Sequence, residues 1–382
     1  MIIENTQISS LNFLRFDNFF CEKYGFLIRN NPQLTDISVL ENLYLWGDQD
    51  YNSCDFRVEN NEKLVMEKFY NGAFITHYLD IRNSGNFKDY GCRGDEISES
   101  NIHNYENCEI LFGGLKLLNT PESLDLNFLS KIQKIIGPID IQNTSIEDLS
   151  FLKSLNFVQI DNIGLEEKST VNIQNNPKMT KLGFPLASHV QFGYSWTGNR
   201  IFNFENLHPD FCLTIEEMSV LSYFKFTNIH VKFCTETGNL NGVKFCKFEK
   251  MSSLEENCFF VFGDILMESG DEKYASKFNN VMQIFGSLTV QGTHLKRLDF
   301  FPFLTYISSL NPDQPAIRIV DNKNLQKAFL PAAQNIVSRS GIRIIMENNH
   351  PKLFNSSESD LLLPPPYARD LYTSMEYKTP PF

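Results

Sequence analysis

The chain has 382 residues, 42% of them hydrophobic, which is enough for packed cores in about two or three domains and too apolar for a disordered protein. Its 34 Lys+Arg against 46 Asp+Glu leave a net charge of -12, a field that repels phosphate backbones and anionic lipid headgroups and argues against a nucleic-acid partner. No apolar run reaches the roughly 18 residues of a membrane span, so membrane contact is not evident, and Met1-Ile-Ile-Glu-Asn-Thr6 lacks the basic and apolar regions of a secretory leader.

In chain order, the first pattern is Ser10-Leu-Asn-Phe-Leu-Arg-Phe-Asp-Asn18 followed by Phe26-Leu-Ile-Arg-Asn30-Asn-Pro32. It returns as Ser154-Leu-Asn-Phe-Val-Gln-Ile-Asp-Asn162 followed by Val171-Asn-Ile-Gln-Asn175-Asn-Pro177. Phe56-Arg-Val-Glu-Asn60 matches Phe202-Asn-Phe-Glu-Asn206 in the same way. Residues 1–90 therefore read as the back half of a domain whose front strands are absent. Either the N-terminus is incomplete, which also accounts for the missing leader, or residues 1–13 cap an open apolar edge.

The middle of the chain holds the pattern in full. Segments beginning at Leu115, Ile139, Val171 and Phe202 each read apolar, x, apolar, x, Asn. This period-2 alternation predicts a strand with one buried face, ending in an Asn that hydrogen-bonds backbone at a turn. The C-terminal third copies it at Ile265, Leu288, Ile317 and Ile344. A second strand set precedes the first: 131–135 and 156–160 in the middle, 280–284 and 303–307 later. One short strand pair every 20 to 50 residues or so is the mark of a solenoid, because no single repeat can bury its own apolar face. The predicted fold is a β-solenoid, a right-handed parallel β-helix resembling leucine-rich repeats, with short capping helices. Its boundaries are a partial domain at 1–90, full domains at 91–240 and 241–356, and a proline-rich tail at 357–382. A generic α/β protein is the alternative, but most intervals lack helical periodicity.

The eight cysteines fall between these blocks. Cys92 and Cys108 precede the middle block, and Cys246 and Cys258 hold the same place before the third, so each set is expected to pair. Cys212 and Cys234 flank 213–224, an amphipathic stretch with Ile215, Met218 and Leu221 on one face; they form the third expected pair. In the first block an ungapped alignment around Asn60 sets Met66 against Cys212, and an alignment on Gly85 and Gly238 sets Ile81 against Cys234, apolar replacements of both partners. Cys21 and Cys54 remain, in loops entering neighbouring strands. Four disulfides imply an oxidising compartment; the alternatives are buried free thiols, or a zinc site, for which no Cys-x-x-Cys exists. Asn143 and Asn355 head N-glycosylation sequons, Asn355 being the better acceptor because Asn143 also ends a strand.

Little in the sequence points to catalysis. The seven His are scattered singly, Phe112-Gly-Gly-Leu115 is too short for a phosphate loop, and the carboxylates lie on turns and exposed strand positions. No metal or cofactor is expected. Paired acids on a solenoid could still hydrolyse a polysaccharide, which is the enzymatic alternative. Arg93-Gly-Asp95 is an integrin-type triplet inside a cap, and Pro364-Pro-Pro-Tyr367 fits a WW-domain ligand within the tail, whose plainer reading is a linker.

The ordered set Asn107-Cys108-Glu-Ile-Leu-Phe-Gly-Gly-Leu-Lys-Leu117, Ile132-Gln-Lys-Ile-Ile-Gly-Pro-Ile-Asp-Ile141, Leu149-Ser-Phe-Leu152, Asn175-Asn-Pro-Lys178 and Asp210-Phe-Cys212 resembles the receptor L domains of insulin and EGF receptors, most closely those of nematode proteins built of L domains alone. The resemblance runs to about residue 355 and covers one partial and two whole domains in tandem. It departs from those receptors in having no Cys-rich module between domains, no kinase motif, and no closing cysteines after Asn348.

The resemblance implies non-catalytic recognition of an extracellular protein or peptide ligand on the outward face of the main sheet. The outward positions here are Lys116, Asp140, Asn172 and Asn203 in the middle domain, and Leu266, Thr289, Arg318 and Ile345 in the third. The third face, which also carries Val320, is the more apolar and the better suited to a partner. The expectation is a secreted or cell-surface protein that engages a peptide hormone, a growth-factor-like ligand or a receptor ectodomain and modulates insulin/EGF-type signalling. The alternative is a structural, self-associating scaffold without a soluble ligand.

Overall fold

Each apolar-x-apolar-x-Asn segment forms a strand, and a single backbone device ends it. Asn30, Asn60, Asn119, Asn143, Asn175, Asn206 and Asn348, with Asp321, all have φ between 51° and 58°. Asn and Asp tolerate this left-handed conformation best among non-glycine residues, because their short polar side chains compensate locally. The chain therefore turns at the same place in these repeats and, through Gly292, in the Leu288 repeat, while the Ile265 repeat turns one residue later at Gly270.

The computed structural model describes residues 1–15, 19–20, 24–40, 45–46, 55–66, 80–159, 171–183, 191–192, 201–234, 243–353 and 375–378. The chain divides into two compact units, Met1–His208 and Pro209–Phe382. Both are mostly β-strand, with few and short helices among the described residues, and the named strands pair in parallel.

In the first unit, Ile2–Glu4, Tyr24–Arg29, Asp55–Glu59 and Asp80–Ser84 lie side by side in that order. Further along, Leu115–Leu118, Ile139–Gln142, Val171–Asn176 and Ile201–Leu207 form a main sheet in direct register. A second sheet runs through Cys92–Arg93, Ile110–Phe112, Lys134–Ile136, Phe157–Gln159 and Gln191–Phe192. The second unit repeats this plan. Ile265–Met267, Leu288–Gln291, Ile317–Val320 and Ile344–Glu347 form its main sheet, and Phe245–Lys247, Phe260–Phe262, Gln283–Phe285, Tyr306–Ser309 and Asn335–Ser338 its second.

Glycine makes the corner from one sheet to the other. Phe112-Gly-Gly-Leu115, which has no phosphate to hold, is such a corner: Gly114 has φ +87°, and a Cβ there would stand 1.9 Å from the Pro138 oxygen. Gly286 has φ +150° and would place a Cβ 2.2 Å from the Gly263 oxygen. Consecutive corners thus stack backbone on backbone, leaving no room for a side chain.

The cores are built from the alternate strand positions. Leu115, Leu117, Ile139, Ile141, Val171, Ile173, Phe202 and Phe204 are all buried. In the second unit Phe278, Phe301, Ile265, Leu288 and Ile317 belong to one cluster, the Phe278 and Phe301 rings lying 4.7 Å apart. The N-terminal core, with Phe26 and Phe56 in edge contact, extends to Ile110 and Phe112.

A buried amide ladder runs beside these cores. Asn31 Nδ2 donates to Asn61 Oδ1, Asn61 Nδ2 to Asn86 Oδ1, and Asn322 Nδ2 to Asn349 Oδ1. Asn176 Oδ1 accepts from both the N–H and the hydroxyl of Thr144. Asn31, Asn61, Asn176, Asn322 and Asn349, each following a left-handed Asn or Asp, therefore satisfy buried turn backbone through their side-chain amides.

Cys92 is bonded to Cys108, Cys212 to Cys234 and Cys246 to Cys258, with Cα–Cα distances of 6.1, 4.9 and 5.8 Å. No free cysteine occurs among the described residues; Cys21 and Cys54 lie outside them. Between Cys212 and Cys234 the predicted amphipathic stretch forms helix Ile215–Leu221, with Ile215, Met218 and Leu221 buried. Thr214 and Glu217 close a capping box at its start, each side chain bonding the other's backbone N–H.

Several sequence expectations shift. The second strand set begins later than expected, at Lys134 and Gln283, because Ile132 and Val281 return their N–H groups to Leu129 and Phe278 in a turn before the strand. Ile81 is no counterpart of Cys234: it lies mid-strand in register with Phe56, whereas Cys234 follows the short strand Lys232–Phe233. In the expected linker, Met375–Lys378 forms a parallel strand against Ile344–Glu347; the WW-type motif lies outside the described residues.

Candidate binding faces of the main parallel sheets

The x positions of the repeat form straight rows across the sheets, because parallel strands in direct register place equivalent residues side by side about 4.8 Å apart. In the first unit Lys116, Asp140, Asn172 and Asn203 are consecutive Cα partners. In the second, Leu266, Thr289, Arg318 and Ile345 are likewise consecutive, and Glu376 continues the row.

The first row is stitched by its own side chains. Asn172 Nδ2 donates to Asp140 Oδ1 and Asn203 Nδ2 to Asn172 Oδ1, each at 2.9 Å. Gln142 and Gln174 form a parallel row, with Gln174 Nε2 donating to Gln142 Oε1 at 2.6 Å and Gln142 Nε2 to Asp140 Oδ1 at 2.6 Å. Lys116, Asp140 and Asn172 are half-buried, and Asn203 is only 6% exposed. The strand period alone points Asn203 to solvent; the structure corrects this. Its amide has left water for the ladder.

The second row is less internally committed. Leu266 is 41% exposed, while Thr289, Arg318 and Ile345 are half-buried. Arg318 Nη1 reaches Gln291 Oε1 only at 3.5 Å. Val320 lies at an outward position but is 1% exposed, so the apolar part of this face is Leu266 with Ile345, without Val320. The same rule applied to Phe26-Leu-Ile-Arg-Asn30 and Phe56-Arg-Val-Glu-Asn60 finds an N-terminal row that the sequence reading left out: Ile2, Leu27, Arg57 and Arg82 are consecutive partners.

Groups that often serve chemistry have turn-building jobs instead. The Ser38 N–H and hydroxyl hold Asp36 below the usual carboxylate range. Burial opposes ionisation of Asp148, yet bonds from Ser150 and Lys181 carry it lower as well. Burial likewise opposes ionisation of Glu272, which the His294 and Gly270 N–H groups nevertheless hold low. Burial, with Glu96 and Asp95 nearby, pushes the Tyr105 hydroxyl up to about 12, and that hydroxyl donates to the Arg93 oxygen. The Arg93-Gly-Asp95 triplet is closed on itself, Arg93 Nη2 lying 2.5 Å from Asp95 Oδ2 with both side chains under 20% exposed. Among the described residues no cluster of His, Cys, Asp or Glu could hold a metal ion, and no helix is long and apolar enough to cross a membrane.

The rows and their flanking cysteines coincide with a known family. The model described as Receptor L domain matches residues 107–222 and 257–361, more than half of the chain. The chain belongs to the receptor L domain family. Protein irld-34 of Caenorhabditis elegans is 24% identical over 245 residues, a match that spans 58% of this chain and 58% of that relative. Receptor L domains are non-enzymatic binding domains of extracellular receptors, and the two matched segments contain both four-residue rows. In the receptor L domain family they bind protein ligands or other receptors, in the setting of insulin- and EGF-type receptors.

Proposed function

We propose that the chain is a secreted or cell-surface binding protein that engages a peptide hormone, a growth-factor-like ligand or a receptor ectodomain and so modulates insulin- or EGF-type signalling. In this reading it is a tandem of right-handed parallel β-helices: a partial L domain at 1–90, whole ones at 91–240 and 241–356, and a tail from 357. Its sugars are on Asn355 and, more weakly, on Asn143, whose amide already donates to Asn119.

The observation that carries the reading is the row Leu266, Thr289, Arg318 and Ile345. It joins one well-exposed apolar side chain to a guanidinium and a second aliphatic group, the mixture that forms a recognition centre. The row Lys116, Asp140, Asn172 and Asn203 spends its amides on itself and is the lesser contributor. The test is binding of the full chain, secreted from eukaryotic cells behind an added leader, to immobilised insulin-like peptides, EGF-type ligands and the matching receptor ectodomains. Saturable binding that falls about tenfold in Leu266→Asp and Ile345→Asp supports the proposal; no binding to the whole set at about 10 μM sinks it.

A second reading, a self-associating scaffold, is favoured by the terminal position of Ile2–Glu4 in its sheet and by the 68% exposure of Ile2. Sedimentation separates the two, since a scaffold forms larger species as concentration rises and a ligand-binding monomer does not.

A further inference from the structure

The main sheet of the second unit ends in the tail. Met375–Lys378 lies parallel to Ile344–Glu347 as the outermost strand. It begins 31 residues after Ile344, much as Val171 begins 32 after Ile139, so it falls where a further repeat would. Met375-Glu-Tyr-Lys-Thr379 keeps the apolar, x, apolar, x alternation, with Thr at the position where most repeats have Asn.

Three ties that secure other main-sheet strands are missing here. The first is the left-handed turn residue. Glu347 is the Cα partner of Lys378, so Asn348 and Asn349 correspond to Thr379 and Pro380. Asn348 has a φ of 54°, a conformation that a β-branched Thr avoids. The second tie is the buried amide. Asn31, Asn61 and Asn322 each donate a backbone N–H to the Oδ1 of the Asn one repeat on, at Asn61, Asn86 and Asn349. Pro380 has no side-chain amide, so this series of bridges stops at Asn349.

The third tie is a disulfide. Lys225–Ile229 lies inside the loop closed by Cys212 and Cys234, but no cysteine follows Cys258. Asp80–Ser84, the last strand of the N-terminal sheet, has the first two ties in Gly85, with φ +71°, and Asn86. Met375–Lys378 has none of the three. A four-residue parallel edge strand held by its backbone ladder is the kind of element that opens locally, well before the core does.

We propose that Met375–Lys378 is a releasable strap, which docks on the outer edge of Ile344–Glu347 and leaves it without unfolding the rest of the second unit. Docked, it lengthens the outward row Leu266, Thr289, Arg318 and Ile345 by Glu376. Released, it leaves that row ending at Ile345 beside an open strand edge. The strap needs no ligand, so its test stands apart from that of the binding face.

The test is hydrogen exchange of the full chain, read residue by residue. The Ile317 and Asp321 N–H groups donate to the Arg343 and Glu347 oxygens, so Ile345 and Glu347 turn their backbone to the inner neighbour. By alternation Ile344 and Met346 turn theirs to the strap. In the unaltered protein we expect the Ile344 and Met346 amides to exchange about tenfold or more faster than those of Ile345 and Glu347. Ile345→Cys with Glu376→Cys joins Cα partners on adjacent strands, within disulfide reach. Oxidation should slow Ile344 and Met346 about tenfold and leave Ile345 and Glu347 unchanged. Glu376→Pro, which removes one strap N–H, should speed the same two amides. Equal protection of all four amides in the unaltered protein, a comparison that needs no variant to fold, would overturn the proposal. So would a cysteine pair that fails to form, that bridges two copies or that locks without slowing exchange, or a Glu376→Pro chain whose exchange is unchanged.

Discussion

Asn322 accepts two hydrogen bonds from Thr293 on the same Oδ1, one from the backbone N–H at 2.9 Å and one from the hydroxyl at 2.7 Å. The same pair recurs as Thr144 with Asn176 and as Thr6 with Asn31. Asn322 Nδ2 in turn donates to the Val290 and Val320 oxygens, so one fully buried side chain satisfies backbone in several repeats. Replacing Asn322 with Ala strands these groups in the core. The expected cost is about 3 kcal/mol, read as a fall in the urea midpoint without a change in slope. An Asn348→Ala change, at the exposed left-handed position next to Asn349, should cost about 1 kcal/mol through backbone strain alone.

The buried glycine corners should be far less tolerant of substitution than a glycine turn in open space. Gly286→Ala meets both a φ of +150° and the Gly263 oxygen 2.2 Å away. Gly292→Ala meets only a φ of +61° in open space. Thermal melts of the two variants should differ by about 2 kcal/mol or more in stability, Gly286 being the worse. Equal melting temperatures would contradict the stacked-corner account.

Removing the Cys212–Cys234 bond by a double Ala substitution should cost about 3 kcal/mol, the loop-closure value for its sequence separation of 22. Thr214→Ala, which opens the capping box on the helix inside that loop, should cost about 1 kcal/mol. Hydrogen exchange checks both: amides of Ile215–Leu221 should exchange sooner in each variant, with the main-sheet strand Leu288–Gln291 unaffected by the cap change.

Alkali should destabilise the protein through Tyr105. Its hydroxyl titrates near 12 in the folded chain against an ordinary value of 10, because burial opposes the phenolate. A raised folded value means that the stabilisation is complete below pH 10 and is lost as pH rises towards 12. Tyr105→Phe should flatten the fall in stability over that window, measured by denaturant titration at successive pH values. A slope equal to that of the unaltered protein would refute the assignment.

The sequence was most informative where local rules and packing agree. The period-2 alternation located the main-sheet strands that begin at Leu115, Ile139, Val171, Ile265, Leu288, Ile317 and Ile344, because burying one face of a strand leaves a mark on every second residue. The strand-ending Asn was legible for the same reason: few other residues accept φ near 55°. Cap helix Ile215–Leu221 announced itself by its apolar spacing.

What stayed hidden depends on neighbours distant in the chain. Asn203 and Val320 stand at positions that the strand period sends outward, yet both are buried, and no local pattern reports what lies against a strand's outer face. The equivalence of Ile81 with Cys234 failed because an alignment on Gly85 and Gly238 cannot see which strand pairs with which. The strand Met375–Lys378 has no mate within 25 residues, so its place beside Ile344–Glu347 is a long-range choice. By itself, then, the sequence determined the repeat, its turns and its buried positions, since these follow from each residue's own chemistry. Only tertiary structure decided which outward residues remain exposed, because that depends on backbone and side chains brought together across the fold.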